Sequence, residues 1–177
     1  ARPNGLSMIE AAALPLVWIT AWESLIDRAQ LKAGERVLIH AAAGGVGHVA
    51  VQLAKHLGAQ VAVTVSGTDK AAFARELGAD RIIDYRTEDF VASVLEWTGG
   101  EGVDVVFDTV GGATFCRSFS AAKVYGRVVT LLQTACEAGD LKTARSRNQS
   151  IHYELMLTPL QLGLHEARIR QREMLEE

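Results

Sequence analysis

The chain has 177 residues, 49% hydrophobic, 22% charged and 6% aromatic, which fits one domain or a little more and excludes wholesale disorder. Its 18 basic and 21 acidic residues leave a formal net charge of −3, so bulk charge gives no footprint for nucleic acid. No apolar run reads as long enough to span a bilayer, no signal-peptide pattern opens the chain, and Cys116 and Cys136 show neither metal-ligand spacing nor a disulfide framework; the expectation is a cytoplasmic protein with no membrane or nucleic-acid partner.

In chain order, Leu14, Val17, Ala21 and Leu25 recur at helical spacing and predict a helix over about 16–29. A turn at 32–35 leads into a short apolar strand over 36–40. The next helix carries the stripe Val46, Val49, Ala50, Leu53, Ala54 and Leu57 and closes at Gly58. The rhythm then repeats: strand 60–65, helix 69–77 with a stop at Gly78, strand 81–84, helix 88–97, strand 103–108, helix 113–122 and strand 127–132. Strands that alternate with helices and read as continuous apolar runs predict an α/β fold, a Rossmann doubly wound parallel sheet with helices on both faces. Residues 137–150 are polar and aperiodic and read as a loop, whose Lys142, Arg145 and Arg147 face water or hold an anion. Residues 151–157 suit one more strand, and 160–177 read as one charged helix without a stop.

The stretch Ala42-Ala43-Gly44-Gly45-Val46-Gly47 falls where a strand passes into a helix, with another strand beyond. It resembles the dinucleotide fingerprint G-x-G-x-x-G with alanine first. A small residue at 42 permits the tight turn, Gly44 lets backbone approach a pyrophosphate, and Gly47 lets the helix lie close on the sheet. Helix N-terminal N–H groups then favour the anion. A tight turn without a ligand is the plainer alternative. An NAD site usually carries Asp or Glu at the end of the second strand. Here that end reads Val65-Ser66-Gly67-Thr68, and Asp69 reads as the cap of the next helix. Lys70 lies in that helix's first turn, where the dipole disfavours a cation, so a bound 2′-phosphate accounts for it, as would an ordinary solvated lysine. Tyr85 and Arg86 follow the third strand on the same rim; Tyr85 flanks an adenine, donates to the phosphate, or is a plain surface aromatic. His40 and His48 flank the glycine turn without a carboxylate or cysteine to complete a metal set, and no metal site is expected.

With these residues in place, the sequence resembles the zinc-independent quinone oxidoreductase branch of the medium-chain dehydrogenase/reductase superfamily. The resemblance is carried by Gly34-Glu35, Leu38, Ala42 to Gly45, Gly47, Gln52 and Lys55. Leu14-Pro15, Thr20-Ala21-Trp22, Gly78-Ala79-Asp80, Asp84-Tyr85-Arg86 and Asp108-Thr109-Val110-Gly111-Gly112 are also similar to family motifs. It runs from about 6 to 132, and its range includes enoyl reductases of polyketide synthases. The resemblance implies NADP(H)-dependent reduction of a quinone, an enone or an enoyl thioester, with a non-catalytic NADPH-binding module as the alternative. It implies Thr20 near the nicotinamide, Ala43, Gly44, Gly45 and Val46 at the pyrophosphate, and Ser66, Lys70 and Tyr85 at the 2′-phosphate. Val110 and Leu131 to Gln133 would line the nicotinamide side, although Val110 and Leu131 also suit plain core. Leu16, Val17 and Trp18 stand where zinc-dependent relatives place a cysteine.

The resemblance further implies an N-terminal catalytic domain, absent from this sequence, that supplies most of the substrate pocket and the catalytic residues. Residues 1–30 then form a linker and entry helix, 31–157 the dinucleotide-binding domain, and 158–177 an exit helix toward the missing domain. The segment 151–157 is the expected edge strand of a homodimer.

Overall fold

The computed structural model describes residues 5–133 and 136–175; residues 1–4 of the expected linker and entry segment and the last two residues of the expected exit helix lie outside them. The elements are α1 (Met8–Trp22), which continues as a π-helical turn (Glu23–Arg28), β1 (Arg36–Ile39), α2 (Gly45–His56), β2 (Gln60–Val65), α3 (Thr68–Glu76), β3 (Arg81–Asp84) and α4 (Phe90–Trp97). β4 (Val103–Asp108), α5 (Gly112–Ala121), β5 (Ala122–Thr130), α6 (Ala138–Ser146), β6 (Ser150–Tyr153), α7 (Thr158–Gln161) and α8 (His165–Glu173) complete the chain. The six strands form one sheet in the order β3-β2-β1-β4-β5-β6, every pair parallel.

Alternate residues of each central strand feed opposite cores. Val37, Ile39, Val61, Val63, Val105 and Phe107 pack with α1 and α2. Leu38, Ala62, Val106 and Val128 face the other way, onto Phe90, Val94, Phe115 and Phe119. Both faces are dry, which is why the strands read as unbroken apolar runs.

Several boundaries differ from the sequence reading. α1 starts at Met8, because Ser7 and Glu10 form a capping box: the Glu10 amide donates to Ser7 Oγ (3.3 Å) and the Ser7 amide to Glu10 Oε2 (2.8 Å). Pro15 lies inside this helix. Met8–Arg28 is therefore one helical stretch of 21 residues with mean hydropathy 1.4, long and apolar enough to cross a membrane, contrary to the expectation that no run reaches that length. Its second half is spent on the protein interior, with Ile19, Ala21 and Leu25 buried, whereas Met8, Ile9 and Leu16 stay exposed.

The loop expected over 137–150 contains α6, hidden in the sequence because among its described residues Ala144 alone enters the second core. Arg147, a candidate anion ligand, is a structural tie: its guanidinium donates to the carbonyls of Phe119, Ser120 and Ala122 at the end of α5. Gln149 Nε2 adds bonds to Phe119 and Ala122 (both 2.9 Å), so α5 passes straight into β5 five residues before the expected strand. Gly163, at φ +67°, splits the expected terminal helix into α7 and α8. α8 docks on α1 through Trp18 Nε1–H, which donates to the Met174 carbonyl (2.6 Å), and through the Arg170–Asp27 ion pair.

The cysteines also correct the sequence reading. Cys116 on α5 and Cys136 beyond β5 form a disulfide with Cα atoms 5.6 Å apart. They are 20 residues apart in the chain, and β5 brings the second back over α5, a contact that spacing does not reveal.

The tightest contact in the fold lies under α2. A Cβ on Gly47 would stand 2.3 Å from the Ala41 carbonyl oxygen, whereas one on Gly45 would meet nothing nearer than Val17 at 3.5 Å. Gly47→Ala is expected to cost about 2 kcal/mol, a fall of roughly 4–8 °C in melting temperature for a chain of this size. Gly45→Ala should move it by less than about 2 °C. Paired thermal melts of the two variants check this contrast.

Candidate functional site

Strand order reverses between β1 and β4, and in a parallel sheet the carboxyl ends at that reversal open a crevice. The glycine turn forms one wall. Ala41 takes φ +50°, unusual for a residue with a side chain, and aims its carbonyl beneath α2 to accept the Gly44 N–H (2.8 Å). Thr64 on β2 holds the turn twice: Oγ1 accepts from the Ala41 amide (3.1 Å) and the carbonyl from the Ala42 amide (3.1 Å). Gly44 is the N-cap residue of α2 in extended backbone, and no side chain caps the helix. The first N–H groups of α2 are therefore open to an anion. A side chain at Gly44 would crowd the Ala41 carbonyl at 3.1 Å and fill this cradle.

The opposite wall is tied to Asp108. Its carboxylate, fully buried at the end of β4, accepts from the Val110 and Gly111 amides (both 3.0 Å) and from the Thr130 hydroxyl (2.7 Å). Thr130 Oγ1 in turn accepts from the Leu132 amide (3.3 Å). One carboxylate thus fixes both the Val110 turn and the start of the segment 131–133.

Two cavities flank Tyr85. The smaller, about 160 Å³, is lined by Ala41, Ala43, Gly44, Val65, Ser66, Lys70 and Tyr85. In it Lys70 Nζ donates to Ser66 Oγ (3.3 Å). The larger, about 580 Å³, is lined by His40, Thr64, Tyr85, Arg86, Phe90, Val110, Thr114 and Arg117 among others. Arg117 closes its rim through an ion pair to Asp89 and lies 4.9 Å over the Phe90 ring. The Ala92 amide holds the Asp89 carboxyl below its usual range against the opposing effect of burial, with Arg117 adding to the lowering.

The structure brings Ala43, Gly44, Ser66, Lys70 and Tyr85 into one cavity and Val110 into the other. Gly45 lies in the first turn of α2 but lines neither cavity, and Val46 packs against the first core. Leu131 is half-buried against the same core, Gln133 is exposed, and Thr20 is buried within α1. Asp69 does not cap α3: Gly67 holds the N-cap position and Asp69 lies in the first turn. Sequence reasoning missed Thr64, Phe90, Thr114 and Arg117: the packing of α4 against α5 brings the last three together, and Thr64 of β2 joins them in the lining of the larger cavity. The N-cap Asp89, which accepts from the Ala92 amide (3.0 Å), was the one local signal near this wall. Among the described residues no group of three His, Cys, Asp or Glu side chains converges as a metal site. His48 Nδ1 lies 2.9 Å from the Gly44 carbonyl.

Two buried titratable groups oppose each other in pH dependence. Burial pushes His40 from 6.5 down to about 4, with the Asp108 carboxylate pulling the other way. Glu154, beyond β6, is pushed from 4.5 up to about 7 by burial and by the neighbouring Glu23, against the Arg28 guanidinium 2.9 Å away. Between about pH 4 and 6.5 the unfolded chain binds more protons at His40, so its contribution to stability rises with pH. Between about pH 4.5 and 7 the folded chain binds more protons at Glu154, so stability falls as pH rises. The two effects offset from about pH 5 to 6 in the native protein. Glu154→Gln should expose the His40 slope, about 1.4 kcal/mol per pH unit, measured by urea denaturation at pH 5.0, 5.5 and 6.0.

Comparison with known proteins places this chain in a family. The family described as zinc-binding dehydrogenase matches residues 45–139, more than half the chain. A 2-haloacrylate reductase from a Burkholderia species is 46% identical over 121 residues, covering 68% of this chain and 36% of that protein. The highly reducing polyketide synthase cm3B of Cordyceps militaris is 41% identical over 132 residues, covering 73% of this chain and 5% of the synthase. The crystal structure of an alcohol dehydrogenase superfamily protein from Novosphingobium aromaticivorans superposes with a TM-score of 0.89 at 39% identity, covering 99% of this chain and 51% of that one. The chain thus spans about half of that solved structure and a small part of the synthase. It belongs to the zinc-binding dehydrogenase family and corresponds to the C-terminal cofactor-binding domain of the zinc-independent quinone- and enoyl-reductase type within the medium-chain dehydrogenase/reductase superfamily.

Proposed function

We propose that this chain is the NADP(H)-binding half of a zinc-independent reductase acting on a quinone or an activated alkene. The observation that carries the reading is the pairing of the uncapped α2 N-terminus with a cavity whose polar side chains are Ser66, Lys70 and Tyr85, with no carboxylate at the end of β2. Bound there, the dinucleotide supplies a hydride from its nicotinamide. The chain's own residues bind and orient it. The N–H groups of Gly45 and Val46 donate to pyrophosphate oxygens. The Lys70 ammonium and the Ser66 hydroxyl hold the 2′-phosphate, to which a carboxylate in their place would be repulsive. Tyr85 stands between the two cavities and would flank the adenine, and Val110 would line the nicotinamide side. Thr20, Leu131 and Gln133 face the nicotinamide end. The substrate pocket and the remaining catalytic groups belong to a further domain, for which the exposed Met8, Ile9 and Leu16 on α1 offer apolar surface.

A second reading is the enoyl-thioester reductase of a polyketide or fatty-acid synthase, favoured by the match to the fungal synthase. Both readings share this site and differ in the substrate's carrier. In either, the domain boundaries are 1–30 for the entry segment, 31–157 for the cofactor domain and 158–177 for the exit segment, which α7 and α8 form. A cytoplasmic location goes with this reading. The Cys116–Cys136 pair would there meet reducing conditions and open to two thiols.

Isothermal titration tests the cofactor. The chain should bind NADPH at least tenfold more tightly than NADH, and Lys70→Ala should remove most of that preference, about 1.4 kcal/mol or more. No heat with either nucleotide overturns the dinucleotide reading, and a preference for NADH overturns the role of Lys70.

The homodimer belongs to the same proposal. Among the described residues β6 pairs with β5 alone and stands at the edge of the sheet, and Ile151 and Tyr153 lie exposed along it. Light scattering should give twice the 19.1 kDa protomer mass, and Ile151→Lys should return the monomer. A monomeric mass for the native chain at high concentration overturns the edge-strand dimer.

A further inference from the structure

His40 is absorbed by none of the roles above, yet it lies at the floor of the larger cavity with 1% of its surface exposed. Its hydrogen bonds have only one consistent direction. Ser118 Oγ donates its single hydrogen to the Thr114 carbonyl (2.7 Å), so toward His40 Nε2 (3.0 Å) it acts as the acceptor. Nε2 therefore carries the ring hydrogen. On the other side the Ala41 amide donates to Thr64 Oγ1 (3.1 Å), which leaves the Thr64 hydrogen for His40 Nδ1 (3.1 Å). A neutral imidazole has one donor and one acceptor nitrogen, and this arrangement uses both. The bonds run in sequence from the Ala41 amide through Thr64, His40 and Ser118 to the first turn of α5.

The start of that sequence is the strained point of the glycine turn. Ala41 sits at φ +50°, and its carbonyl fills the space beneath Gly44 and Gly47. Such a conformation in a residue with a side chain persists only where its surroundings hold it. We infer that His40 is a positioning residue for dinucleotide binding, orienting the Thr64 hydroxyl so that it pins the Ala41 amide and keeps the α2 N-terminus set for the phosphates. The inference rests on the NADP(H) reading and deepens it. His40 acts through Thr64. The Phe90 ring meets the imidazole edge-on, with centroids 4.9 Å apart, and fixes its plane.

The experiment is NADPH titration of the full chain and its variants, with thermal melts alongside. Thr64→Val keeps the shape and removes the hydroxyl; it should weaken NADPH binding at least tenfold, while Thr64→Ser stays within threefold of the native chain. His40→Leu should weaken binding to a similar extent, and His40→Leu with Thr64→Val should be no worse than either alone. Glycine adopts positive φ freely, so Ala41→Gly in the Thr64→Val background should recover at least threefold of the loss, a rescue that general destabilisation does not allow. Nitrogen-15 spectra of the native chain should show His40 protonated at Nε2 alone. Unchanged affinity in Thr64→Val, absence of rescue, or a ring protonated at Nδ1 overturns the positioning role. Native binding with unchanged variants refutes that role alone, whereas no binding by the native chain removes the NADP(H) reading and this inference together.

Discussion

The Ala41 carbonyl is the point on which the site depends. It lies where β1 ends and α2 begins, and the helix can start there only because residues 44 and 47 lack side chains. The approach has two consequences. It brings the helix axis down onto the sheet, so Val49, Leu53 and Ala54 enter the first core. It also leaves the opening N–H groups of α2 uncapped at the mouth of the crevice. Packing and anion binding thus follow from one local constraint.

The far side of the crevice is organised by a single buried carboxylate. Asp108 satisfies its oxygens with two backbone amides and one hydroxyl, and through them fixes the ends of β4 and β5 together. Thr64 does comparable work on β2, and His40 links it to α5. These polar groups stand at carboxyl ends of parallel strands, where the ladder stops and backbone groups need other partners. The same groups shape the cavities. A binding site of this kind is built from the solutions that strand ends require.

Much of the fold was legible along the chain. β2, β3 and β4 fall where unbroken apolar runs stand between glycine or polar stops, because strands dry on both faces admit little else. Ala43, Gly44, Ser66, Lys70 and Tyr85 were legible because three consecutive loops deliver them and the right-handed crossover rule brings those loops to one edge. Arg147 misled: its charge suggested water or an anion, and three carbonyls at the end of α5 took it instead. α6 gave no periodic signal, since among its described residues Ala144 alone is buried. The first helix, expected from about 16, starts at Met8 because the capping box at Ser7 and Glu10 sets its beginning there.

The sequence by itself determined the alternation of strands and helices, the doubly wound class and the glycine turn, since each depends on residues close together in the chain. Tertiary structure alone decided what long-range packing brings together: the disulfide between Cys116 and Cys136, the wall of Phe90 and Arg117, the docking of α8 on α1 through Trp18, and the buried line of hydrogen bonds through His40. Their partners lie 20 to 156 residues apart. Local spacing carries no information on such pairs, because their geometry is fixed only once the sheet has set the distance between its layers.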